Sequence, residues 1–461
     1  MTTDTDTEYE ALRLRHLARA GELLPPMLDR LTWPAADLAR HRTTELRRLL
    51  GVAREASPWH RARLAGIDLD RIDESDLTTL PVMTKDDLMA HFDDIVTDDR
   101  LDLRTVEDHL ASLDGDAYLF GRYHAAATGG STGRRGVVVF DWDAWATCYW
   151  TVQRHTIRAL RPDADTQRVA MVASSAPTHM TRTLPQTFST GRVEIRRFPV
   201  ATPLAEIVAG LNEYRPTTIV GYPSALHMLA AEARAGRLRI APTRLDGTAE
   251  PMLPEIRAAV EEAFGVPVGN NWALTEGGGS GQACAALGMH LADDLLIVEL
   301  VDEQGRPVPP GTRSAKVYLT NLFNHALPLI RYEVTDQIEL LADETGCPCG
   351  STHRRIADPF GRLDDVFDYA GTRVHPNVFR GPLARRREIV EYQVRQTPDG
   401  AAVTVRTITE AQGLDPATLA ADIAAELTRV GVTAPRITVT EVASLPRKTS
   451  GKLVRFVPLA R

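Results

Sequence analysis

The spacing of apolar residues changes along this chain. In the segment HRTTELRRLLGVAREA, Leu46, Leu49, Leu50 and Val52 fall on roughly one face, and the first ~110 residues read mainly as helix. Short apolar runs then alternate with helical spacing. RVAMVAS and TTIVGY predict buried strands, and PLAEIVAGLNEY between them predicts a helix. PEIRAAVEEAFG predicts another helix, with Ile256, Val260, Ala263 and Phe264 on one stripe and Gly265 as its stop. The alternation points to an α/β domain with a substantial sheet.

The last hundred or so residues read differently. REIVEYQVRQ, the turn TPDG and AAVTVRTI predict a hairpin. Asp415 and Pro416 open a helix carrying Leu419, Ile423 and Leu427, which Gly431 ends, and RITVTEV adds a strand. That is enough for a small separate α+β domain, with the boundary near residues 361–371. The expected division is a large N-terminal domain, 1–363, and a small mobile C-terminal domain, 364–461.

Composition narrows the function. A length of 461 residues is too great for one compact core. The net charge of −8 argues against a nucleic-acid partner. No run of 18 or more apolar residues predicts a membrane span, and the acidic start MTTDTDTEYE is not expected to be a secretory signal. Four cysteines in so long a chain are no disulfide framework, so a reducing cytoplasm is expected. Oligomeric state stays open, with a homodimer among the options.

Residues 127–136, ATGGSTGRRG, offer backbone N–H groups, two hydroxyls and nearby positive charge, which suits phosphate. The Gly-Lys-Ser/Thr of a Walker A loop is missing, and GVVVF after it reads as a strand, so the loop is expected to join two strands. This stretch resembles the phosphate loop of the adenylate-forming enzymes (acyl-CoA synthetases, adenylation domains, luciferases), most closely the phenylacetate–CoA ligase branch. Further segments follow in the family's order: LPVMTKDDL (80–88), GTAEPM (247–252), NWALTEGGG (271–279), LPLIRYEVTDQ (327–337), GRLDDV (361–366) and LPRKTSGKLVR (445–455).

The resemblance implies ATP-dependent activation of a carboxylic acid as an acyl-adenylate, with Mg²⁺, then transfer to the thiol of CoA. A carboxylate is already ionised at neutral pH, so no general base is required. By resemblance, Thr128, Ser131 and Thr132 face the β/γ-phosphates in the loop built on Gly129, Gly130 and Gly133. Ala249, Glu250 and Pro251 form the adenine side, where Trp272 stacks in place of the usual tyrosine. Thr275 faces the α-phosphate and Glu276 holds Mg²⁺. Asp336 and Arg362 hold the ribose, and Asp364 is the hinge. Lys452 reaches the α-phosphate from the small domain, a contribution of ~10²–10³ in rate if it acts as a preorganised charge. The chain departs from the pattern at Gly136, where many members carry lysine, and at Arg135, Ala273, Glu333 and Thr335.

A second constellation suits metal. Cys284 and His290 in CAALGMH, with Cys347 and Cys349 in CPCG, supply a Cys₃His set for structural zinc, with His353 a rival ligand and plain burial the alternative. His179 and Tyr222 are candidates for the wall of the acid pocket. The branch favours aryl or arylacetic acids. The alternative is an adenylate-forming enzyme with another acceptor (a carrier-protein thiol or an amine), or one that activates a non-carboxylate oxyanion such as nitrite. Glu333 and Thr335 hint at such divergence.

Overall fold

The computed structural model describes residues 4–128, 136–159, 167–174, 176–189, 193–200, 202–342, 346–362, 366–374, 376–384, 386, 388–407, 413–447 and 453–459. The N-terminal quarter is helical, as its spacing predicts: α1 (Asp4–Asp29), α2 (Ala35–Ala56), α3 (Pro58–Arg63), α4 (Lys85–Ala90), α5 (Phe92–Ile95) and α6 (Leu103–Ser112). On α2, Leu46, Leu49 and Leu50 are fully buried, but the fourth core position is Ala53 and not Val52. A period of 3.6 places residues 46, 49, 50 and 53 on one stripe and turns residue 52 away from it.

A hairpin follows, β1 (His124–Ala127) and β2 (Val137–Phe140), with Ala127 opposite Val137. The glycine-rich loop therefore joins two antiparallel strands, as expected. α7 (Trp142–Ala159) leads into an alternation of strand and helix: β3 (Gln167–Val172), α8 (Met180–Thr187), β4 (Val193–Arg197), α9 (Leu204–Tyr214), β5 (Thr218–Gly221), α10 (Pro223–Arg234), β6 (Arg244–Thr248), α11 (Pro254–Phe264) and β7 (Val268–Leu274). The chain then turns back through β8 (Gly278–Ala283) and β9 (Met289–Leu291), and β14 (Arg355–Ile356) joins later, as numbered in chain order.

These strands form one eight-stranded sheet in the order β14-β9-β8-β7-β6-β5-β3-β4. Strands β3 to β7 are parallel, which requires the crossover helices α8, α9, α10 and α11, while β8, β9 and β14 run antiparallel. α11 ends as its sequence predicts, on Gly265 at φ +68°. This is the left-handed conformation that glycine adopts without a Cβ clash. The carboxyl ends of β3, β5, β6 and β7 open on one edge, the usual ligand edge of a parallel sheet.

A second sheet contains β10 (Leu296–Val301), β11 (Lys316–Asn321) and β12 (Tyr332–Val334). Two short ladders follow: β13 (Asp336–Gln337) with β15 (Gly361–Arg362), and β16 (Phe367–Tyr369) with β17 (Thr372–Val374). The C-terminal sheet has the order β20-β19-β18-β21, from β18 (Ile389–Thr397), β19 (Gly400–Thr407), β20 (Arg436–Glu441) and β21 (Phe456–Val457). It carries α12 (Asn377–Ala384) and α13 (Pro416–Arg429). Asp415 caps α13 through the amides of Ala417 and Thr418, and Leu419, Ile423 and Leu427 are fully buried on one stripe. The predicted hairpin, helix and strand are all present. Among the described residues no helix is long and apolar enough to cross a membrane.

Candidate active site and metal centre

The segments expected to bind nucleotide lie along the carboxyl edge of the parallel strands. At one end lies the β1–β2 hairpin. Thr128 N donates to Gly136 O at 2.8 Å, and Gly136 N donates to Thr128 Oγ1 at 2.8 Å, so the two feet of the loop are clamped together. Gly129, Gly130, Ser131, Thr132 and Gly133 lie outside the described residues. Lys85, the first residue of α4, reaches across from the N-terminal region and donates from Nζ to Thr128 Oγ1 at 3.0 Å. A Cβ on Gly136 would stand 3.0 Å from Lys85 Cε. The position where related loops carry lysine is thus crowded by a lysine from elsewhere.

At the other end, the β7–β8 turn carries Thr275, half-buried, and Glu276, 9% exposed. Glu276 is anchored at both ends: its carbonyl accepts from Asn321 Nδ2 at 2.9 Å and its Oε1 accepts from Tyr332 Oη at 3.3 Å. Trp272, on β7, is 4% exposed, and its indole N–H donates to Asp336 Oδ2 at 2.8 Å. Asp336 on β13 is the cross-strand partner of Arg362 on β15. The two expected ribose-binding positions are therefore neighbours, although the Arg362 side chain lies outside the described residues. So do Asp364 and Lys452.

Between these ends, the loop after β6 carries Ala249, Glu250 and Pro251, all half-buried. Ala249 sits at φ +62°, a conformation with a real steric cost for a residue with a Cβ, and such strain collects at ligand sites. Both carboxylate oxygens of Glu250 are engaged. Oε2 accepts from Ser224 N at 3.1 Å and Oε1 from Leu453 N at 3.0 Å. Leu453 follows Lys452 directly, so the C-terminal segment contacts the loop after β6.

The two pocket candidates differ. His179 is half-buried at the start of α8, where its carbonyl accepts from Arg182 N at 2.9 Å. Tyr222 is fully buried at the N-cap of α10, and its hydroxyl accepts from Ser174 N at 3.2 Å. Burial pushes the Tyr222 phenol up to about 12. It braces the segment leading to His179 from the core side. Glu333 forms an ion pair with Lys316 at 2.7 Å.

The metal set assembles as the sequence suggests. Ligand atoms of Cys284, His290, Cys347 and Cys349 all lie within 4.8 Å of one another. Cys284 Sγ is 3.6 Å from Cys347 Sγ, and Cys349 Sγ is 3.4 Å from His290 Nε2. A tetrahedral zinc with ~2.3 Å bonds to sulfur needs ligand separations of about 3.7 Å. His290 Nδ1 lies 3.0 Å from His353 O, which fixes Nδ1 as the donor and turns the Nε2 lone pair toward the thiols. The rival His353 is otherwise engaged, Nδ1 with Leu291 O and Nε2 with Arg30 O, at 3.0 and 3.1 Å. Burial, helped by the other thiols, pushes Cys284 up to about 12 in the absence of a cation. Gly288 leaves the space: a Cβ there would stand 3.2 Å from Cys347 Sγ.

Residues 126–318 match the family of AMP-binding enzymes. The chain is 33% identical over 195 residues to phenylacetate–coenzyme A ligase of Thermus thermophilus, covering 40% of this chain and 43% of that protein. It is 27% identical over 266 residues to the ligase of the same name from Aromatoleum evansii, covering 54% and 59%. The matches thus span about half the length of these curated relatives. The fold is shared over much more of the chain. A crystal structure of 2-hydroxyisobutyryl-CoA ligase in the postadenylation state superposes with a TM-score of 0.71 at 22% identity, covering 93% of this chain and 91% of that one.

The matched stretch holds Thr128, Glu250, Trp272, Thr275, Glu276 and two of the four candidate metal ligands, but the candidate site draws on residues beyond that match. Lys85 precedes it, and Asp336, Cys347, Cys349 and Leu453 follow it. The motif LPVMTKDDL contains Lys85, but its spacing alone gives the lysine no role. Composition held a signal: only four lysines stand among 53 lysines and arginines, and they are Lys85, Lys316, Lys448 and Lys452. Two of the four lie in the C-terminal segment, and a third touches Thr128 at the foot of the glycine-rich loop.

Proposed function

We propose that this chain joins a carboxylic acid to CoA in two steps through an acyl-adenylate, and that the acid is aryl or arylacetic. The observation that carries this reading is convergence. Segments scattered from Lys85 to Leu453 meet on the carboxyl edge of one parallel sheet, in the arrangement that a nucleotide and a second substrate require. Similarity to two phenylacetate–coenzyme A ligases supports the substrate class.

In the first step a carboxylate oxygen attacks the α-phosphorus of ATP. The bond to the bridging oxygen breaks and pyrophosphate leaves with its electron pair. In the second, the CoA thiolate attacks the acyl carbon and AMP leaves, while the thiol proton goes to solvent. No proton need be removed from the acid, so the task is to hold anions together. Thr128 and the loop residues Ser131 and Thr132 would bind the outer phosphates, with Lys85 as a point charge beside them. Thr275 and Lys452 would face the α-phosphate. Trp272, Asp336 and Arg362 would hold the adenosine. Glu276 is the residue to hold Mg²⁺, which when bound neutralises phosphate charge.

The tetrahedral set Cys284, His290, Cys347 and Cys349 would hold structural zinc, with no position left open for chemistry. Its thiolates suit the reducing cytoplasm. The domain boundary is proposed at residues 363/364, between the β13–β15 ladder and the C-terminal unit. Pyrophosphate release with ATP and Mg²⁺ over a panel of aryl acids, with and without CoA, tests the reading. A CoA thioester seen by mass spectrometry is the expected product. Pyrophosphate release with no thioester would move the acceptor to an amine or a carrier protein.

A further inference from the structure

Glu250 belongs to the adenine-side loop, yet its carboxylate points its two oxygens at two protein amides. One is Ser224 N, in the first turn of α10, at 3.1 Å. The other is Leu453 N, beside Lys452 and 203 positions away in sequence, at 3.0 Å. The first contact places a negative charge on the positive end of a 12-residue helix and holds the carboxylate in one orientation. That fixed orientation then presents the second oxygen to the C-terminal strand of chain.

The same helix end receives a second contact from that segment. Arg447 Nη1 donates to Ser224 Oγ at 3.4 Å, and Arg447 Nη2 to Met228 Sδ at 3.8 Å. Arg447 also pairs with Glu391 of β18, which is 3% exposed and takes a second bond from Arg406 Nε at 2.9 Å. Ser224, fully buried, is therefore gripped through its amide by Glu250 and through its hydroxyl by Arg447. The two grips lie at residue 447 and at residue 453, before and after residues 448–452 in sequence, which lie outside the described residues.

We propose that Glu250 is a positioning residue. Its carboxylate latches the Lys452-bearing segment onto the start of α10 and so selects the arrangement in which the first, adenylating step runs. This rests on the two-step reading above. A carboxylate suits the task because it offers acceptors on both sides and no donor. Glutamine at this position keeps the shape but turns an NH₂ toward one of the two N–H groups.

The test is Glu250→Gln in the full-length protein, read in two ways. Hydrogen exchange at the Leu453 amide needs no substrate. It is expected to speed up at least tenfold, in keeping with loss of one bond to a charged group. Unchanged exchange there overturns the latch, whatever the enzyme's substrate. The second reading compares half-reactions with an acid that the wild type activates: ATP–pyrophosphate exchange, and thioester formation from supplied acyl-adenylate. Exchange should fall about tenfold more than thioester formation. Equal losses in both would mean a merely structural role and overturn the proposal. An inactive wild type in both assays would instead overturn the two-step reading, and the Leu453 amide would still judge the contact.

Discussion

The indole N–H of Trp272 donates to Asp336 Oδ2 at 2.8 Å, joining the aromatic expected at adenine to the carboxylate expected at ribose. Both groups are nearly buried, Trp272 at 4% and Asp336 at 9% exposure. The link uses the indole N–H, so it is lost when the ring carries no donor. Trp272→Phe keeps an aromatic face and removes the donor. KM for ATP should rise about tenfold, the usual effect of losing a bond to a charged group, with a smaller change in kcat. Steady-state kinetics at saturating acid measures this. A KM within twofold of wild type would remove the coupling from the account.

Lys85 should matter for ATP and little for the fold, because its ammonium donates to Thr128 Oγ1 at 3.0 Å at the foot of the glycine-rich loop and it stands at a helix start. Lys85→Ala should lower kcat/KM for ATP about 10²-fold, as for loss of one preorganised cationic partner, with melting temperature nearly unchanged. Gly136→Lys alone should be harmful, since its Cβ would crowd Lys85 Cε at 3.0 Å. The double variant Lys85→Ala/Gly136→Lys should recover part of the loss. Absence of any recovery would separate the two positions functionally.

Purified protein should carry about one zinc per chain by elemental analysis. Cys284→Ser should reduce that content and lower the melting temperature by roughly several degrees. The centre ties the β8–β9 connection to the segment before β14, and β14 pairs with β9 through Arg355 and His290. Loss should therefore show as faster hydrogen exchange in residues 284–291 and 346–356. His353→Ala should leave the zinc content intact, because both of its ring nitrogens face carbonyls.

Stability should rise with pH between about 4 and 6.5. Burial pushes His60 and His16 down to about 4, the latter also through nearby His124. In the unfolded chain both bind protons near pH 6.5, so between these limits the unfolded state holds more protons. The contribution is fully present above 6.5 and is lost as pH falls toward 4, up to about 3 kcal/mol for each histidine. Urea titrations at several pH values measure the slope. His60→Asn should flatten it, while removing the bond from His60 Nε2 to Pro328 O at 3.0 Å.

Local order was legible. The Gly265 stop, the Asp415 cap with its Leu419, Ile423 and Leu427 stripe, and the hairpin around TPDG are all written in spacings of two to four residues, and such spacings set backbone conformation directly. The metal set was legible for a related reason. Few side chains can serve as ligands, and the chain holds only four cysteines. One slip came at the edge of a stripe, where Val52 was expected inside and Ala53 is found there. Hydrophobicity favoured valine, and helix geometry decided for alanine.

The sequence by itself determined the elements, the order of the nucleotide segments and the chemical inventory, because these depend on neighbours along the chain. Tertiary structure alone decided which groups share an oxygen. It brought Lys85 to Thr128, Glu250 to both Ser224 and Leu453, Trp272 to Asp336, and Lys316 to Glu333. It also placed His290 Nε2 among the three thiols and gave both nitrogens of His353 to carbonyls. The physical reason is range. A hydrogen bond is satisfied within about 3 Å whatever the distance along the chain, so its partner is set by how sheets and helices pack.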